Sequence, residues 1–198
     1  SVTSINESAI TVTFDGREIY DGDYVASTPE IIINLNYPFW FPLEDTTSIK
    51  IQFDTEEIHH SQLDTDYDTV NRIAAYKFSP VITAGENRIR IFAKDVRGVL
   101  GETPIFEKYF NVSDQLKIEN AYNYPNPFSE STHFTFVLPT VPDELKILIY
   151  TVAGRKIKEL NFPSPQLNVG FNALLWDGKD QDGDVISNGV YFAKLILK

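Results

Sequence analysis

The chain has 198 residues, with 28 acidic against 17 basic side chains and a net charge of −11. Lacking cysteine, it holds no disulfide, thiolate metal site or cysteine nucleophile, and its acidity opposes nucleic acid and anionic membrane surfaces, both of which attract basic faces. No apolar run reaches the ~18 residues of a bilayer-spanning helix, and a 42% hydrophobic content marks a globular chain.

Ile10-Thr11-Val12-Thr13-Phe14 alternates as a half-buried strand does, and Asp15-Gly16 behind it signals a two-residue hairpin turn. Asp21-Gly22-Asp23 is a further turn. The continuous run Ile31-Ile32-Ile33-Asn34-Leu35 reads as a strand buried on both faces. Tyr37, Phe39, Trp40 and Phe41 lie between Pro38 and Pro42 in an aromatic stretch too irregular for a central strand. Two roles fit it: an exposed platform for a glycan or peptide, or the packing of a loop between modules. Ile49-Lys50-Ile51-Gln52-Phe53 is the next alternating strand.

Asp54, Glu56, Glu57, His59 and His60 then lead into Asp64, Asp66 and Asp68, which occupy every second position. In a strand these three carboxylates project from one face about 7 Å apart. Such like charges need solvent or a shared cation, and calcium, which takes hard oxygen ligands, is the candidate. A solvated, mobile acidic loop is the alternative. Strands are expected over 70–78, 88–93 and 105–112, with a turn at Ala84-Gly85-Glu86-Asn87. Short strands with a turn roughly every 8–12 residues form the pattern of an immunoglobulin-like sandwich.

The polar stretch Asn111-Val112-Ser113-Asp114-Gln115 places a boundary that divides the chain into domains 1–114 and 115–198. Each is long enough to bury its own core. Residues 1–114 carry 19 acidic and 9 basic side chains, whereas 115–198 carry 9 and 8. Nearly all of the negative charge thus belongs to the first domain. In the second, strands are expected over 118–122, 133–138, 145–151, 155–160, 171–176 and 190–197, and no helix is expected anywhere.

Trp176 reads as a core plug at a strand end. Asp180, Asp182 and Asp184 follow it in Asp180-Gln181-Asp182-Gly183-Asp184, which superficially resembles a calcium loop. The stretch lacks the twelve-residue register and the terminal bidentate Glu of such loops. The other reading is a long turn, with Asp side chains accepting main-chain N–H groups and Gly178 and Gly183 at positive φ. The three histidines form no catalytic set, and no nucleophile elbow, phosphate loop, dinucleotide fingerprint or zinc-protease helix exists. No catalytic residue and no organic cofactor is therefore assigned, and the chain reads as no enzyme.

The second domain carries an ordered series: Asn126-Pro127-Phe128, Leu138-Pro139, Ile149-Tyr150, Gly154-Arg155, Trp176-Asp177-Gly178 and Gly189-Val190-Tyr191. This series resembles the immunoglobulin-like module of the flagellar hook-capping protein. That module recurs as the C-terminal sorting domain of type IX secretion cargo in Bacteroidetes and related bacteria. The chain departs from many such tails in its weakly basic end, where only Lys194 and Lys198 stand. In the first domain, Gly22-Asp23-Tyr24-Val25, Asp45-Thr46-Thr47-Ser48-Ile49 and the stretch from Gly85 to Asp95 are similar to the immunoglobulin-like domain that follows gingipain-like peptidase domains.

The resemblance implies two tandem immunoglobulin-like sandwiches forming the tail of a larger secreted or surface protein, routed through the periplasm. The last domain would be read by the secretion machinery, and any peptidase domain would lie upstream. The absence of Met fits an excised or processed chain, with any signal peptide upstream as well. A glycan- or peptide-binding module, or a structural one stabilised by calcium, is the alternative expectation. Neither reading involves nucleic acid or a membrane span.

Overall fold

A computed structural model of the chain describes residues 10–36, 47–94 and 98–198. It is all-β and divides into two compact units, Ser1–Val112 and Ser113–Lys198. Among the described residues no helix is long and apolar enough to cross a membrane.

The first unit contains β1 (Ile10–Phe14), β2 (Ile31–Asn36), β3 (Ile49–Phe53), β4 (Glu56–Ile58), β5 (Asp64–Asp68), β6 (Ile73–Phe78), β7 (Gly85–Ala93) and β8 (Phe106–Val112). They form two antiparallel sheets, ordered β1-β2-β6-β5 and β4-β3-β7-β8. This is the two-sheet order of an immunoglobulin-like sandwich. Inward residues of both sheets, among them Ile31, Ile33, Tyr76, Ile89, Ile91 and Phe110, form one core. Each such side chain contributes about 1.5–3 kcal/mol by leaving water. Phe110 sits 5.4 Å from Phe14 and 6.2 Å from Phe53, ring centroid to centroid, which ties β8 to the core.

Local rules account for most of these elements. Asp15 and Gly16 have φ of +48° and +78°, the pair of positive values that a tight hairpin turn demands, and Phe14 and Arg17 exchange main-chain hydrogen bonds across them. Two expectations are corrected. Burial along β2 alternates, because only one face meets the opposing sheet, so Ile32 and Asn34 are half-exposed rather than core. The strand expected over 70–78 begins only at Ile73. The Asp68 carboxylate accepts hydrogen bonds from the N–H groups of Val70 and Asn71, and that turn leaves Val70 88% exposed.

The second unit contains β9 (Glu119–Tyr124), β10 (Thr132–Leu138), β11 (Glu144–Thr151), β12 (Lys156–Pro163), β13 (Gly170–Trp176) and β14 (Tyr191–Leu197). Its sheets are ordered β13-β10-β9 and β12-β11-β14 and enclose a core of Phe134, Phe136, Leu138, Leu145, Ile147, Ile149, Leu174 and Trp176. Strict alternation along β11 sets this out: Leu145, Ile147 and Ile149 point in, while Lys146, Leu148 and Tyr150 point out.

Candidate functional site

Three stretches of the second unit's ordered series, Asn126-Pro127-Phe128, Trp176-Asp177-Gly178 and Gly189-Val190-Tyr191, meet around one indole. Trp176, at the end of β13, is 3% exposed. Its ring lies 5.5 Å from Phe128, 6.2 Å from Phe134 in a stacked arrangement, and 6.5 Å from Tyr191 edge-on. Its Nε1 donates to the Lys179 carbonyl at 3.0 Å, so the buried donor is satisfied. Asp177 accepts from the Lys179 N–H at 3.2 Å and shapes the turn that supplies that carbonyl. Gly178, at φ +65°, has no room for a side chain: a Cβ there would stand 2.8 Å from the Glu130 carbonyl oxygen and 3.2 Å from the Phe128 ring.

Asn126 and Pro127 lie in the connection from β9 to β10, where the Tyr124–Pro125 and Asn126–Pro127 bonds are cis. The Thr132 hydroxyl donates to the Pro125 carbonyl at 2.8 Å, and Asn123 bridges to Asn126 and Thr132. These bonds hold Phe128 over Trp176. Gly189 precedes β14, and the Tyr191 hydroxyl donates to the Ser187 carbonyl at 2.7 Å. Between these parts lies a cavity of about 350 Å³, with Asn126, Phe128, Trp176, Tyr191, Phe192 and Ala193 in its wall. A cavity of that volume suits one bulky side chain or a small ligand.

No protein-family model matches the chain, and no curated protein matches it.

The two acidic clusters are placed differently. Asp64, Asp66 and Asp68 lie on β5, a paired edge strand rather than a mobile loop, with their side chains in solvent. Asp68 is committed to the turn at Asn71, whose main-chain N–H and side-chain amide hold its carboxyl below the usual range. Asp180 Oδ1 accepts the main-chain N–H groups of Asp182 and Asp184, both at 3.0 Å, as a turn-forming Asp does. Gly183 there has φ +92°. Among the described residues, no three acidic or histidine side chains converge as a metal-binding group. Tyr37, Phe39, Trp40 and Phe41 fall outside the described residues.

The outward face of the β12-β11-β14 sheet is charged on one side. Lys156 and Lys146 reach Glu159 at 2.7 and 3.2 Å, and the hydrogen bond from Lys156, then that from Lys146, lowers its pKa. Glu159, Leu148 and Lys194 form one row across the sheet. Lys194 has no ion pair among the described residues. The outward face of the other sheet carries exposed apolar side chains: Phe171 and Leu175 on β13, and Tyr122 and Tyr124 on β9, are all more than half exposed. Sequence reading missed Asn123, Thr132 and the whole β14 flank. Asn123 and Thr132 stand in no motif, and of β14 only Tyr191 does, so these roles come from which strands lie side by side.

Proposed function

We propose that the chain is a non-catalytic C-terminal region of a larger secreted or cell-surface protein, and that the second unit acts as its type IX secretion signal. The observation that carries this reading is the convergence of Asn126, Pro127, Phe128, Trp176, Asp177, Gly178, Gly189 and Tyr191 on one cluster. Residues that share a family's order in sequence and also one structural role support membership better than either alone. A near-neutral last unit behind a strongly acidic one agrees with a label carried by a different body. The test is to fuse the whole chain behind a periplasmic reporter in a type IX-competent host. Reporter should appear outside the outer membrane only when the chain is attached. Periplasmic retention of the intact fusion sinks the reading.

A second reading, a surface module that binds glycan or peptide, is favoured by the exposed Tyr122, Tyr124, Phe171 and Leu175. Array binding of the whole chain that is lost in Tyr122→Ser and Phe171→Ser would favour it over the first.

A further inference from the structure

We propose that the free flank of β14 is a strand-addition site, taking an extended segment of a partner polypeptide that bears apolar side chains at alternate positions and a carboxylate opposite Lys194. The inference deepens the reading of the second unit as a recognised label, and rests on it for its biological reader only.

The first unit shows what belongs at this place. Its sheet runs β4-β3-β7-β8 and the matching sheet of the second unit runs β12-β11-β14, so β14 stands where β7 stands. β7 is covered by β8, and its inward Asn87, Ile89, Ile91 and Ala93 are all buried. The inward residues of β14 are not: Tyr191, Leu195 and Leu197 are half-buried and Ala193 is exposed. Among the described residues, nothing therefore covers the core of the second unit along this flank.

The main chain is equally bare. Glu144 and Lys198 exchange both main-chain hydrogen bonds, at 3.3 and 2.9 Å. Bonded pairs alternate in an antiparallel ladder, so Ile196, Lys194 and Phe192 bond β11 as well. The N–H and C=O groups of Tyr191, Ala193, Leu195 and Leu197 then point away from β11, and no hydrogen bond among the described residues reaches them. Several of the other edges are blunted. Residues 22–25 hydrogen-bond along β8, Gln181 binds the main chain of β12, β5 presents three carboxylates, and β9 bears a register shift. The seven-residue β13 is also an edge, but the cavity meets it only at Trp176, whereas it borders Tyr191, Phe192 and Ala193 of β14.

This geometry dictates the occupant. Residues bonded to Tyr191 and Ala193 would point inward, where the cavity accepts a bulky apolar side chain. The residue beside Lys194 would point outward, next to a lysine without an ion pair. Strand addition of this kind draws affinity from the main chain and specificity from alternate side chains. A second copy of the chain is the poorer fit, since its own β14 carries Lys194 and no carboxylate to set beside Lys194.

The probe is a synthetic peptide alternating Val and Thr, with one Phe at a Val position and one Asp at a Thr position, titrated into the whole chain. Residue-resolved amide exchange should slow at Tyr191, Ala193, Leu195 and Leu197 and stay unchanged at Phe192, Lys194 and Ile196. Ala193→Pro removes an outward-facing N–H without touching the β11 ladder, and should weaken binding by at least ~10-fold. Should that variant fail to fold, Lys194→Glu decides. It should weaken the Asp peptide by up to ~5-fold and favour the same peptide carrying Lys. Protection confined to other strands, equal binding by Lys194→Glu of both peptides, or protection of the four amides that grows with protein concentration without peptide would overturn the proposal, the last in favour of a second copy. If the peptide binds as expected while Ala193→Pro is still exported as a fusion, the strand site stands and the secretion machinery is not its reader.

Discussion

Substituting Gly178 by alanine tests whether the cluster around Trp176 is a fitted assembly. Two costs apply. A left-handed backbone at φ +65° costs a non-glycine residue about 1–2 kcal/mol. The new methyl would also stand 2.8 Å from the Glu130 carbonyl and 3.2 Å from the Phe128 ring, so the 128–130 segment must move. Moving it loosens the Phe128–Trp176 pair, worth about 0.5–1.5 kcal/mol beyond its buried area. The expected loss is thus about 2–3 kcal/mol. Gly183 is the control, because its φ of +92° is as demanding but nothing lies within 4 Å of an added Cβ. Gly183→Ala should cost only the backbone part, about 1–2 kcal/mol. A gap of about 1 kcal/mol corresponds to roughly 4–8 °C in the unfolding midpoint of a unit this size. Hydrogen exchange followed by mass spectrometry during heating, read on β10 and β11 peptides, reports the second unit alone. If Gly183→Ala destabilises as much as Gly178→Ala, backbone strain alone governs and the steric argument is wrong.

Asp180→Ala should destabilise the second unit by about 0.5–1.5 kcal/mol, because the exposed N–H groups of Asp182 and Asp184 exchange their turn-fixing acceptor for water, whereas Asp180→Asn, which keeps an acceptor, should cost less than half of that by urea unfolding. Trp176→Phe should lower stability by no more than a few kcal/mol while leaving the Lys179 carbonyl without its 3.0 Å donor, which faster amide exchange in the 177–180 turn would report. Glu159 has its folded pKa depressed below the ordinary 4.5 by Lys156 and Lys146, so its stabilising effect is complete above that value and is lost as pH falls through the folded one. Acid unfolding of Glu159→Gln should therefore show a shallower loss of second-unit stability below pH 4.5 than the parent, and an identical profile would refute the assignment.

Periodicity read the second unit closely because its strands alternate and are bounded by strong punctuation. β11 and β13 run within a residue of where hydropathy places them, and Gly178 and Gly183 adopt the positive φ their turns require. β4 escaped because Glu56-Glu57-Ile58 has no apolar alternation and is held by pairing with β3. The strand character of Asp64–Asp68 was legible as alternation, but composition argued for a loop; pairing with β6 across five residues decided it. Ile32 looked buried because a run of isoleucines carries no mark of which face the opposing sheet covers. The cavity and the β14 flank were illegible for a deeper reason. Both depend on which strands become neighbours, and no local window of sequence carries that information.

The same convergence makes the ordered series a poor place to test recognition. Trp176, Gly178 and Phe128 each sit beneath another group, and truncating a buried Trp costs about 3–5 kcal/mol. A domain has only about 5–15 kcal/mol in total, so loss of export in such a variant would report unfolding as readily as lost recognition. Phe192 separates the two. It is 58% exposed, points outward from β14 beside Tyr150, and borders the cavity at the free flank. Phe192→Ser removes only exposed apolar surface and a cross-strand contact, a cost of about 0.2–1 kcal/mol. The variant should keep its unfolding midpoint within a few degrees of the parent while losing peptide affinity and fusion export together. Loss of export with unchanged peptide binding would place the reader elsewhere on the unit, and a collapse in stability would show that Phe192 belongs to the fold after all.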